Sequence, residues 1–93
     1  MSAMSAPFRK STREVLEAIQ GVLAPYLGAL MARTAAGAHC RDLGIAGADM
    51  DRGQVEALLE RLRLGLIIFL GKEKTAAVVA AMERAVDALG ETR

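Results

Sequence analysis

The sequence has few of the residues on which enzyme and metal chemistry depend. Its 93 residues include no tryptophan, one tyrosine, two phenylalanines, one histidine and one cysteine. A lone cysteine rules out an intrachain disulfide framework and suits a reducing, cytoplasmic setting. His39 and Cys40 are the only imidazole and thiol. A tetrahedral zinc site therefore has no second cysteine or histidine to complete it. On a helix, neighbours such as these point about 100° apart, so they do not converge on one ion or form a nucleophile–base pair. Charge of one sign is also missing. Twelve basic residues against eleven acidic ones leave a net charge of +1, which excludes a whole-domain electrostatic footprint for nucleic acid or anionic membrane. Long apolar runs are missing too. The uncharged stretch Ala18–Ala32 is shorter than the ~20 residues a span needs and is interrupted by glycine and proline. Leu64–Leu70 is shorter still. The opening MSAMSAPFRK lacks the basic-then-apolar order of a secretory signal.

Two motif fragments fail on spacing. Leu70-Gly71-Lys72 resembles the end of a phosphate loop, but Gly65 lies one residue too far back and Glu73 stands where a magnesium-binding hydroxyl belongs. Asp42, Asp49 and Asp51 lack the alternating order, the glycine and the closing glutamate of a calcium loop. No catalytic residue, cofactor or metal is expected.

What the sequence does contain is aliphatic side chains at helical spacing. Hydrophobic residues make up 53% of the chain and charged residues 25%, a globular rather than a disordered balance. The stretch Val15–Arg33 organises the reading. Leu16, Ile19, Leu23, Tyr26 and Leu30 recur at steps of three and four, and Val15, Val22, Leu27 and Met31 widen the stripe. Pro25 disturbs it, because it has no N–H and its ring meets the carbonyl of Gly21. A kink or break is expected at Pro25. Ser11 and Glu14 have the capping-box spacing at the start of this stripe. Residues 1–10 read as a flexible tail, with Phe8 a candidate to fold back.

The remainder divides into two further helices. Alanines follow Pro25 as far as Leu43, where Gly44 supplies a stop, and Ile45–Met50 reads as loop. Asp51 and Gln54 suggest a second cap. Val55, Leu58, Leu59, Leu62, Leu66, Phe69 and Leu70 mark the next helix. From Leu64 onward this helix is apolar nearly all round, because Leu64, Ile67 and Ile68 add a second face. Gly71 ends it. A last helix runs from about Lys74 to Leu89, with Val78, Val79, Met82, Val86 and Leu89 as its stripe. The expected fold is all-α: a small bundle of three helices, or four if Pro25 breaks the first, over residues 11–90.

The segment VLAPYLGALMART, residues 22–34, resembles a pattern found in an uncharacterised helical domain associated with bacterial signalling proteins. The likeness rests on Tyr26, Leu27, Gly28 and Ala32. The chain departs from the pattern at Ala29, where proline is common, and its own proline lies earlier, at Pro25. The resemblance implies a bacterial regulatory module and no catalytic residue.

A domain of this size buries only roughly 60–65% of its unfolded surface, so apolar surface to spare favours burial on another chain. The reading is a non-enzymatic interaction module that forms a homodimer or docks on a signalling protein. Leu64, Ile67, Ile68, Phe69 and Leu70 are its candidate interface, and Tyr26 and Met31 its candidate groove. One alternative is a dimeric nucleic-acid-binding protein that contacts anions through Arg9, Lys10 and Arg13. Another is a carrier of a small apolar ligand in a pocket near Tyr26.

Overall fold

Four helices alternate in direction, and a short ladder ties them together at one end. The computed structural model describes residues 9–89. Strand β1 (Arg9–Ser11) leads into α1 (Thr12–Leu27), α2 (Ala29–Asp42) follows, and strand β2 (Asp49–Asp51) leads into α3 (Arg52–Asp87). Helix α3 is two arms joined at Gly71, whose φ of 82° is not helical. A glycine takes that left-handed conformation without a Cβ clash. The second arm returns along the first, because Arg52 Nη2 lies 3.4 Å from Asp87 Oδ1.

The starts of α1 and α3 are both capped by a side chain, while Gly28 at the start of α2 has none to offer. The Glu14 N–H donates to Ser11 Oγ at 3.3 Å, one half of the capping box expected there. The box at α3 is complete: the Gln54 N–H donates to Asp51 Oδ1 at 2.8 Å, and the Asp51 N–H to Gln54 Oε1 at 3.0 Å. Gly53 inside it does no harm, since only residues at the cap and three positions on take part.

The break in the first apolar stretch lies at Gly28 rather than at Pro25. Helix α1 runs through Pro25 to Leu27. Gly21, whose carbonyl the proline ring crowds, faces solvent, so that carbonyl can turn outward. Gly28 then takes φ 87°, and its N–H donates to the Ala24 carbonyl at 2.8 Å. The reversal also resets the phase of the stripe. Val15, Ile19 and Leu23 are buried as expected; Leu30, after the reset, is exposed, and Tyr26, still in phase before it, is exposed as well. Beyond Gly28 the core positions belong to Ala32, Ala36 and Cys40, small side chains that let α2 lie close on its neighbours.

Arg9 and Lys10, read as tail, and Asp49 and Met50, read as loop, form an antiparallel ladder with Arg9 opposite Asp51 and Ser11 opposite Asp49. An isolated two-stranded pair is marginal, so its anchors matter. Met50 is fully buried beneath it. The Thr12 N–H donates to the Ala48 carbonyl at 2.7 Å, and Thr12 Oγ1 to that of Gly47 at 2.9 Å. Helix α2 ends at Asp42, and the Gly44 and Ile45 N–H groups donate back to the carbonyls of Arg41 and Cys40. The second arm of α3 begins at once after Gly71 and ends at Asp87. Phe8 and Gly90 lie outside the described residues.

The core joins Val15, Ile19 and Leu23 of α1 to Val55, Leu58, Leu62, Leu66, Val78, Met82 and Val86 of α3. Thr75 shares their burial, and its Oγ1 has no hydrogen-bond partner among the described residues. Removing an unpaired buried hydroxyl while keeping its shape costs nothing in bonding. In urea melts, Thr75→Val is expected to leave stability unchanged or raise it by up to about 1 kcal/mol. Ile19→Ala, at a fully buried position, is expected to cost about 2–5 kcal/mol.

Candidate functional site

The end of the bundle that holds Gly28 and Gly71 carries an uncovered apolar face. Helix α2 and the first arm of α3 run antiparallel: Arg61 Nη1 approaches Asp42 Oδ2 at 3.8 Å at the end of α2, while Phe69 lies with Met31 near its start. Between them lies a groove of about 380 Å³. Tyr26 and Leu27 close one end. Met31, Ala35 and His39, four residues apart on α2, form one wall; Leu62, Gly65, Leu66 and Phe69 form the other. Spacings of three and four align each set along its helix. The groove is open because its middle is lined by Ala35 and Gly65. A Cβ built on Gly65 would meet nothing within 4 Å.

The candidate groove residues Tyr26 and Met31 thus do come together, and they do so with Phe69. The candidate interface divides. Ile68 is 83% exposed, Phe69 75% and Leu64 51%, while Tyr26 is 48% and Met31 56% exposed. Ile67 and Leu70 are half-buried, and Leu70 packs against the core. On the α3 wheel Phe69, Gly65, Ile68 and Leu64 follow one another away from the groove, so the apolar surface continues over the rim. Exposed apolar side chains scattered singly are ordinary, but a contiguous group of this kind marks a contact surface. Ala35, His39 and Gly65 are members of this face that the apolar periodicity does not single out, because none of them is a large apolar residue.

The basic segment is occupied by internal partners. Arg9 Nε lies 4.0 Å from Asp49 Oδ2, and Arg13 Nη1 lies 4.0 Å from Glu17 Oε2. Lys10 Nζ donates to the backbone carbonyls of Asp87 and Leu89. That places its ammonium at the end of the last helix, where carbonyls have no intrahelical donor and the dipole favours a cation. Lys10 is thus engaged at the helix end, while Arg9 and Arg13 are loosely paired and remain exposed.

Among the described residues, no group of three or more histidine, cysteine or acidic side chains could hold a metal ion. Nor is any described helix long and apolar enough to cross a membrane. His39 and Cys40 diverge: His39 faces the groove, while Cys40 is buried with its Sγ 3.5 Å from the Ile45 carbonyl. His39 Nδ1 is itself buried without a partner among the described residues. Exposed Glu60 holds Arg63 in a two-pronged ion pair, at 2.9 and 2.6 Å. The hydrogen bond from Arg63 lowers the Glu60 pKa, yet a solvated pair of this kind adds little stability.

Comparison of the chain with protein-family models, with curated proteins and with solved structures finds no match.

Burial raises the Cys40 thiol pKa, against a smaller opposing effect from Arg41. Less thiolate and little access both slow attack on a disulfide reagent. Cys40 is expected to react with Ellman's reagent far more slowly in the native chain than in denaturant. Equal rates in the two conditions would place the thiol outside the core.

Proposed function

We propose that this chain is a non-enzymatic helical interaction module, a bacterial cytoplasmic regulatory or adaptor subunit that works by binding protein through its apolar face. The observation that carries the reading is the exposure of Ile68 and Phe69 beside the groove lined by Tyr26 and Met31. Exposing such side chains to water is unfavourable by about 25 cal/mol per Å², and covering them is the gain available to a partner. The resemblance of residues 22–34 to a domain associated with bacterial signalling proteins points to the regulatory setting.

A carrier of small apolar ligands would use the same groove. That reading gains from its volume, about 380 Å³, which lies within the ~300–1,000 Å³ of ligand sites. It loses from its openness, since the groove is not closed over a ligand and its polar groups, the Tyr26 hydroxyl and His39, stand only at its ends. Nucleic-acid binding has weaker support, since Lys10 is engaged by helix-end carbonyls and the net charge of +1 gives no broad basic footprint.

The test compares tagged wild-type chain with Ile68→Glu in affinity purification from the native host. Ile68 is exposed, so the variant is expected to keep its helical circular dichroism and to lie within about 0.5 kcal/mol of wild type in stability. It is expected to lose whatever protein the wild type retains. Identical captures from the two would sink the reading. Unfolding of the variant would instead assign Ile68 to the core.

A further inference from the structure

We infer that the occupant of the α2–α3 groove is a second copy of this chain, related by a two-fold axis passing close to Gly65. The inference rests on the interaction-module reading and names its partner. Three observations carry it.

The first is area. Tyr26, Met31, Leu64, Ile68 and Phe69 are each about half to four-fifths exposed. At roughly 150–200 Å² for a large side chain, they present on the order of 500–600 Å² of apolar surface. A standard interface buries about 800 Å² on each partner, and a homodimer interface is about 65% apolar. The apolar share it requires, on the order of 500 Å² per copy, is the surface this face offers.

The second is shape. A two-fold interface joins one patch to itself, so the patch must carry both the projection and the recess that receives it. Here Ile68 and Phe69 project, and the groove with Gly65 in its wall lies immediately beside them. Gly65 is midway along the row Leu62–Phe69. A two-fold there sets the first arm of α3 antiparallel to its counterpart, and Phe69 of each copy meets the end of the groove formed by the partner's Leu62 and the partner's His39. Glycine inside a helix costs about 1 kcal/mol relative to alanine. Nothing within this chain requires one at position 65, since a Cβ there meets open space. A second helix crossing at close range does require it, as small residues let backbones approach.

The third is charge. A two-fold brings each group near its own copy, and like charges so placed repel. No charged residue occurs from Leu64 to Gly71 or from Ala18 to Ala32. Arg61, one helical turn before Gly65, is paired with Asp42 of α2 at 3.8 Å, so the charges nearest the axis compensate each other and the face carries no net charge to favour a partner of opposite sign.

The experiment uses the purified full chain with a single cysteine placed beside the axis. Wild type is expected to show, by sedimentation equilibrium at tens to hundreds of micromolar, a mass approaching twice the 9.8 kDa of one chain. Under a mild thiol oxidant, Leu64→Cys, beside the axis on the exposed face and leaving Gly65 in place, is expected to form an interchain disulfide about ten-fold or more faster than Glu56→Cys, because thiols near each other across an axis react at millimolar effective concentration. Glu56 is exposed on the same helix at its other end, and Cys40 is buried in both variants. In wild type, amide-exchange protection that grows with concentration over residues 62–70 reports the same contact without a substitution.

A monomeric wild type at the highest concentration overturns the inference. A dimer in which position 64 cross-links no faster than position 56, with no protection at 62–70, overturns it as well. A monomeric wild type whose host capture is still lost on Ile68→Glu removes the second copy and leaves the interaction module standing. A monomeric wild type with no such loss removes both.

Discussion

The whole arrangement depends on two glycine reversals at one end of the bundle. Gly28 and Gly71 both take φ above 80°, a conformation in which a side chain would clash. Each ends a helix and returns the chain along the element it has just left. Because a reversal of this kind is not a helical step, it also restarts the helical phase. Leu30 and Met31, just after the first, are carried out of register with the core, while Tyr26 and Phe69, just before the two reversals, keep their helices' phase but lie exposed beyond the last buried residues, Leu23 and Leu66. They remain at the surface together.

The opposite end is closed by different means. The ladder of β1 and β2 holds the starts of α1 and α3 side by side, with Met50 as its buried anchor. Lys10 reaches the carbonyls at the end of α3, and Arg52 pairs with Asp87. Polar and charged contacts therefore gather at the ladder end, and uncovered apolar surface gathers at the reversal end. This polarity makes the groove between α2 and α3 the candidate site and gives Lys10 a structural role instead.

Much of this was legible from periodicity. Val15, Ile19 and Leu23, then Leu58, Leu62 and Leu66, then Val78, Met82 and Val86 are at core positions, because steps of three and four share one helical face whatever the tertiary context. The excess of apolar residues from Leu64 to Leu70 also pointed to surface left uncovered. Three features escaped. Thr75 is buried at a position where polarity argues for solvent. Gly65 and Ala35 shape the groove by what they lack. The ladder consists of three-residue strands without alternating apolar pattern, and it exists only because two distant segments are held together by the helices they precede.

By itself the sequence determined the class, the helix faces and the caps, since all of these depend on residues a few positions apart and on backbone sterics. Tertiary structure decided where the first stretch breaks, because Pro25 in a helix's last turn is tolerated when the Gly21 carbonyl can face water. It also decided that small residues, Ala32, Ala36 and Cys40, fill the core positions of α2. Most of all it decided that Tyr26, Met31 and Phe69 line one groove, since meeting across forty residues depends on the reversals and on antiparallel packing rather than on local spacing.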